Sequence, residues 1–191
     1  MPYLPSLPTV SDSTPTALPA PLRAQHCVLD IEASGFGRSS YPIEVGYALG
    51  DGRTHCTLVR PAPHWTHWDS SAEQVHHIAR ETLLRHGRSP FDVAQMLNRD
   101  LAGLTVYCDG WAHDYTWLAT LFEEAGLSPH FHLESVARLL DEARLARLQQ
   151  AQQQARTLLG LNRHRASADA RALQWALAQV EHGVQTDGLN A

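Results

Sequence analysis

The chain has little cysteine, little basic charge and no long apolar run. Its three cysteines, Cys27, Cys56 and Cys108, are odd in number among 191 residues. They lack metal-type spacing, which argues against a cysteine-based metal site. Cys27 and Cys108 fall in apolar runs and read as small buried hydrophobes. There is no signal-peptide apolar region and no span of membrane length, so a soluble, cytoplasmic protein is expected. Lys and Arg number 15 against 20 Asp and Glu, a formal charge of -5. A protein that wraps long nucleic acid carries a basic surface, so any nucleic-acid contact here should be short and local. No internal repeat is visible.

An apolar content of 43% with 18% charged residues is that of a globular chain, and the length suits one α/β core. Residues 1–22 hold six of the eleven prolines with many Ser and Thr. That composition cannot bury a core and predicts a flexible tail. Residues 23–182 form the expected domain, and 183–191 a second flexible tail.

Within the domain the pattern predicts a strand from Cys27, a loop over Ser34–Tyr41, and a second strand over Pro42–Leu49. The Asp51-Gly52 turn leads to a third strand, Thr54–Arg60. These three read as an antiparallel meander. Ser70 with Glu73 resembles a capping box opening a helix through Ile78. Ser89-Pro90 marks the start of a helix over 90–101. A buried strand, Leu104–Cys108, precedes a helix from His113 to Ala125, and Phe131–Leu133 is a short strand. Glu134–Leu158 is helix-rich, with a solvated glutamine run at 149–154. A last helix covers Ala166–Val180. A meander followed by alternating strands and helices predicts a mixed sheet with helices on its faces.

Asp30 and Glu32 are the only acid-x-acid pair in the chain. On a strand they share one face, with Leu29 and Ile31 on the other. Two solvated acids at a strand end would account for them. On a buried strand they repel each other and lose hydration. A hard divalent cation such as Mg2+ or Mn2+ relieves both costs. In the helix after Leu104–Cys108 the apolar stripe is Leu118, Leu121, Phe122 and Ala125, and four residues before Leu118 stands Asp114. The last helix repeats this arrangement, with Asp169 four residues before Leu173. An acid in a first turn suits the helix dipole, worth roughly 0.3–1 kcal/mol. The dipole does not explain why both acids share the inward stripe. Five residues before Asp169 lies His164, a side chain that can take a proton near neutrality.

The order Asp30-x-Glu32, then Asp114 opening a helix after a strand, then His164-x4-Asp169, resembles the DEDDh exonucleases. These are the DnaQ-like 3′→5′ exonucleases of the ribonuclease H-like fold. Ser34-Gly35, Ile43-Glu44-Val45-Gly46, Val75-His76-His77-Ile78 and His164-Arg165-Ala166 agree with it as well. The resemblance implies an α/β ribonuclease H-like mixed sheet, an antiparallel meander then parallel strands, flanked by helices. It implies two divalent cations, Mg2+ or Mn2+, on Asp30, Glu32, Asp114 and Asp169, with His164 as general base. It also implies a short or single-stranded DNA or RNA 3′ end as partner and nucleoside 5′-monophosphates as products. Phe36 could stack on a terminal base, with Ser34 and Gly35 allowing close approach of the backbone. One departure is Asp109-Gly110, where the family often has His-Asn, so Asp109 competes with Asp114 for the third position. A second reading is a non-catalytic nucleic-acid- or protein-binding module on the same fold, and the occupation of all five reactive positions argues against it. An Asp-nucleophile phosphatase fits poorly, because the second acid is Glu32, position 34 is Ser, and His164 is left without a task.

Overall fold

The computed structural model describes residues 26–182, so both expected tails lie outside the described residues. Five strands form one sheet: β1 (Cys27–Ala33), β2 (Pro42–Ala48), β3 (Thr54–Leu58), β4 (Thr105–Cys108) and β5 (His132–Ser135), in the order β3-β2-β1-β4-β5. The first three pair antiparallel, while β1 with β4 and β4 with β5 pair parallel. The mixed sheet is thus the one the sequence predicts. Among the described residues six α-helices flank the sheet: α1 (Ser70–His76), α2 (Arg80–His86), α3 (Pro90–Leu101), α4 (Trp111–Ala125), α5 (Glu142–Leu159) and α6 (Ala166–His182). Among the described residues no helix is long and apolar enough to cross a membrane.

Strand alternation puts a separate core on each side of β1. Leu29 and Ile31 join Val93, Leu97, Leu118 and Leu121 of α3 and α4. Val28 joins Leu148 and Ala151 of α5 and Leu173, Ala176, Leu177 and Val180 of α6. Asp30 and Glu32 follow Val28 at i+2 and i+4, so they stand on the α5–α6 side.

The first turn of α6 is set against β2 by two residues of that strand. Glu44 is fully buried and accepts from Arg165 Nε (3.1 Å) and Nη2 (2.7 Å) and from the Ala166 N–H (2.9 Å). At Gly46 a Cβ would meet Ser167 N at 2.1 Å and Ala166 C at 2.2 Å. Glycine here lets two backbones touch.

The structure differs from the sequence reading at several boundaries. The N-cap of α1 is Asp69, whose carboxylate accepts from Ser71 N, and Glu73 takes the Trp68 indole N–H at 2.6 Å. That helix ends at His76, not Ile78. Helix α2 carries one buried residue, Leu83, too little periodicity to read from sequence. Strand β3 ends at Leu58 and α4 begins at Trp111, two residues before the expected His113. The Ser89 cap is as expected, its hydroxyl accepting from Asp92 N. Cys108 is buried, Cys27 partly so, and Cys56 exposed.

Gly46→Ala tests the α6 contact. Overpacking of this kind costs about 1–3 kcal/mol, and backbone atoms cannot rotate away. The variant should melt well below the wild type in a thermal scan; an unchanged Tm would show that α6 can shift freely on the sheet.

Candidate active site

Three segments far apart in sequence meet at the α5–α6 side of β1. Asp30 and Glu32 come from β1, partly buried. Asp114 comes from the first turn of α4, is 3% exposed, and keeps a buried Oδ2 with no hydrogen-bond partner. Asp169 comes from the first turn of α6. All four carboxylates line one cavity of about 280 Å³, together with His164 and Asp109. Glu32, His164 and Asp169 each place a ligand atom within 4.8 Å of the others.

His164 sits in the loop ahead of α6 with φ 59°, a left-handed conformation uncommon for a side chain larger than glycine. Its backbone N–H donates to Asp169 Oδ2 at 2.6 Å, which favours this geometry, and a ring nitrogen lies within 4.8 Å of a Glu32 oxygen. The other Asp169 oxygen accepts from Arg156 Nε (3.0 Å) and Nη2 (2.7 Å). Asp109 also faces the cavity, but it is exposed at the end of β4 and bonded by Gln152 Nε2 at 2.7 Å. Asp114 is the buried one of the two.

Crowding of like charge shows in the protonation of the acids. Burial pushes Asp30 well above the usual carboxylate range, and Asp114, Glu32 and Asp169 push it further. Burial, then Asp169 and Glu44, raise Glu32 to about 7. Asp114 is raised by burial and by Asp109. His164 is shifted down, first by burial and then by Arg163. A carboxylate cluster that holds protons near neutrality, with one buried oxygen unpaired, is short of positive charge. Oxygen ligands of this kind fit a hard divalent cation. Asp169 still fits such a group, because an oxygen that accepts one hydrogen bond keeps a second lone pair.

Beside the acids lies a second cavity of about 350 Å³ that shares Glu32, Phe36, Trp117 and His164 with the first. Phe36 is 68% exposed and packs edge-on to His113 at 5.1 Å. His113 in turn stacks on Trp117 at 5.5 Å. Gly35 lines this cavity at φ 137°, and a Cβ there would meet Asp69 Cβ at 2.6 Å. Ser34 is buried and turned inward: its hydroxyl bonds His67 Nδ1 and accepts from Tyr41 N. The serine shapes the loop, and the face it leaves open belongs to Gly35 and Phe36.

Sequence reasoning missed Arg156, Gln152, His113 and Trp117. Trp117 and His113 were findable as aromatics at i and i+4 in a helix that already carries Asp114. Arg156 had no such signal, because only the packing of α5 against α6 brings it to Asp169.

No known family model matches this sequence, and no curated protein does. Solved structures match in fold. Exonuclease I of Methylocaldum szegediense superposes with a TM-score of 0.63 at 14% identity, over 84% of this chain and 40% of that one. Escherichia coli Exonuclease I in complex with a dA16 oligonucleotide gives 0.63 at 13% identity, over 85% and 42%. The zinc-bound form of the E. coli enzyme with single-stranded DNA gives 0.61 at 14%, over 84% and 41%. This chain therefore spans about two fifths of the length of those proteins. At such identity the likeness shows the fold alone: a five-stranded mixed sheet flanked by helices, shared with those exonuclease I structures.

The raised acids make stability depend on pH. Glu32 titrates near 4.5 unfolded and about 7 folded, so across that window the folded state holds more protons. Stability is then fully present below the lower value and is lost as pH rises through the upper one. The protein in EDTA should show a falling Tm from about pH 5 to about pH 8, and Asp30→Asn should flatten that fall. A Tm that rises over this range would contradict the assignment.

Proposed function

We propose that this chain is a metal-dependent 3′→5′ exonuclease of the DEDDh type. It would hydrolyse phosphodiesters at the 3′ end of single-stranded DNA or RNA and release nucleoside 5′-monophosphates. The observation that carries this reading is the meeting of Asp30, Glu32 and Asp114, whose buried Oδ2 has no hydrogen-bond partner, with Asp169 and His164 in one cavity. Two cations, Mg2+ or Mn2+, held by the four carboxylates would polarise the phosphodiester and make water a nucleophile at neutral pH.

The chain's own groups supply the rest. His164, shifted down in pKa, is neutral at pH 7 and can take the proton of the attacking water. The His164 backbone N–H bond to Asp169 holds this residue at the rim of the acids. Phe36, with His113 and Trp117 behind it, offers a stacking face for the terminal base. The second cavity, lined by Gly35, Val75 and His76, has room for the nucleoside beyond it. Arg156 and Arg163 on the cavity wall can meet the phosphate.

One contact favours the alternative, a non-catalytic binding module on this fold. The Arg156 guanidinium already neutralises Asp169, which weakens that acid's call on a cation. Cleavage separates the two readings. A 5′-labelled single-stranded oligonucleotide should shorten stepwise from its 3′ end with Mg2+ or Mn2+ and stay intact in EDTA. His164→Ala should lower kcat by about 10²–10⁴-fold. Asp30→Ala should abolish cleavage while the protein stays folded. Cleavage that persists in EDTA or in Asp30→Ala ends the metal reading; binding without cleavage selects the module.

Phe36→Ala should raise KM for oligonucleotides about tenfold, since a stacked base is worth about 1–3 kcal/mol. A KM equal to the wild type would remove Phe36 from the substrate site.

A further inference from the structure

The acid cavity opens into two neighbours through different residues. Toward Phe36 it shares Glu32, Trp117 and His164 with the 350 Å³ cavity already described. Toward α5 it shares Asp109, Gly110, Gln152, Arg156 and Arg163 with a groove of about 820 Å³. No residue lines both neighbours.

The groove follows one side of α5. Leu145, Gln149, Gln152 and Arg156 fall at i, i+4, i+7 and i+11, a single helical stripe, with Gln150 and Gln153 beside it. At 1.5 Å per residue the stripe is about 16 Å long. Its character changes along the way. The outer part is uncharged, with exposed amides at Gln149, Gln150 and Gln153. The inner end carries Arg156 and Arg163 next to the acids. Gln152 is 7% exposed and spends its amide on Asp109, which fixes the groove to the end of β4.

We propose that this groove carries the nucleotides 5′ to the scissile phosphate. The inference rests on the nuclease reading of the acid site and adds the path of the strand. A terminal base stacked on Phe36 fills one side of the acids, and the groove along α5 gives the rest of the strand a path on the other. The two arginines complement the phosphates nearest the acids. Glutamine amides donate to phosphate and sugar oxygens and accept from base edges without adding charge. That division suits a chain with a formal charge of -5: a few local cations grip the strand, and neutral amides guide it. The groove accounts for the exposed amides of Gln149, Gln150 and Gln153, which the fold alone does not require.

The test uses exposed positions. Gln149→Glu and Gln153→Glu place carboxylates against the strand, and Gln154→Glu, which does not line the groove, is the control. The readout is the ratio of kcat/KM for an oligothymidylate octamer to that for the dinucleotide, with Mg2+. The double variant should lower this ratio about tenfold, and Gln154→Glu should leave it unchanged. In parallel, anisotropy of a fluorescein-labelled octamer in EDTA reads binding without cleavage. There Arg163→Ala should reduce the slope of log K against log salt by about 0.7, the share of one phosphate on a single strand. An unchanged length ratio, an equal effect of the control, or no binding of the octamer overturns the groove. Groove-dependent binding with no hydrolysis would sustain the groove and sink the nuclease reading.

Discussion

Repulsion among desolvated carboxylates is the constraint around which this protein is arranged. Glu32 and Asp169 offer oxygens within 4.8 Å of each other, and Asp30 and Asp114 share the same cavity. Two full charges about 5 Å apart at an effective dielectric of 20 cost roughly 3 kcal/mol. Packing has to exceed that to keep α6 in place. The α6 stripe buries Leu173, Leu177 and Val180, and three such side chains contribute on the order of 5–9 kcal/mol. The apolar half of the helix, with the Arg156 guanidinium on Asp169, therefore outweighs the repulsion at its N-terminal end. Burial and like charge raise the pKa of Asp30, Glu32 and Asp114, so proton uptake by these acids eases the remainder as pH falls.

The second device is a charge fully inside the protein. Glu44, at 0% exposure, accepts from Arg165 Nε and Nη2 and from the Ala166 N–H. A buried carboxylate left without these donors would be strongly destabilising, so these bonds hold the start of α6 in one position. With Gly46 beneath it, that turn sits directly on β2. The loop residue His164 and the helix residue Asp169 flank this anchored turn. Precision at the acids thus originates on the opposite side of α6's first turn, in a strand that supplies none of the four cavity acids.

Much of this was legible in the chain because it is periodic. Alternation around Asp30 and Glu32 gives a strand with two acids on one face. The spacing of Asp114 to Leu118 and of Asp169 to Leu173 puts each acid on a buried helix stripe. Those local patterns carried the strands, the long helices and the candidate acids. Short elements with one buried residue, such as α2 with Leu83, leave no period to read. The cap at Asp69 was displaced by one residue because Ser70 and Glu73 mimic a capping box whose glutamate instead serves Trp68.

The sequence by itself determined which faces are apolar and which acids lie on them, since side-chain periodicity follows directly from backbone geometry. Only the tertiary structure decided what those acids meet. Arg156 reaches Asp169, Gln152 reaches Asp109, and Ser34 turns inward to His67. Each of these pairs joins residues 13 to 43 positions apart across separate elements, and such distances carry no local signal. The physical reason is that a hydrogen bond or ion pair depends on the packing of whole elements, whereas a stripe depends only on the turn of one.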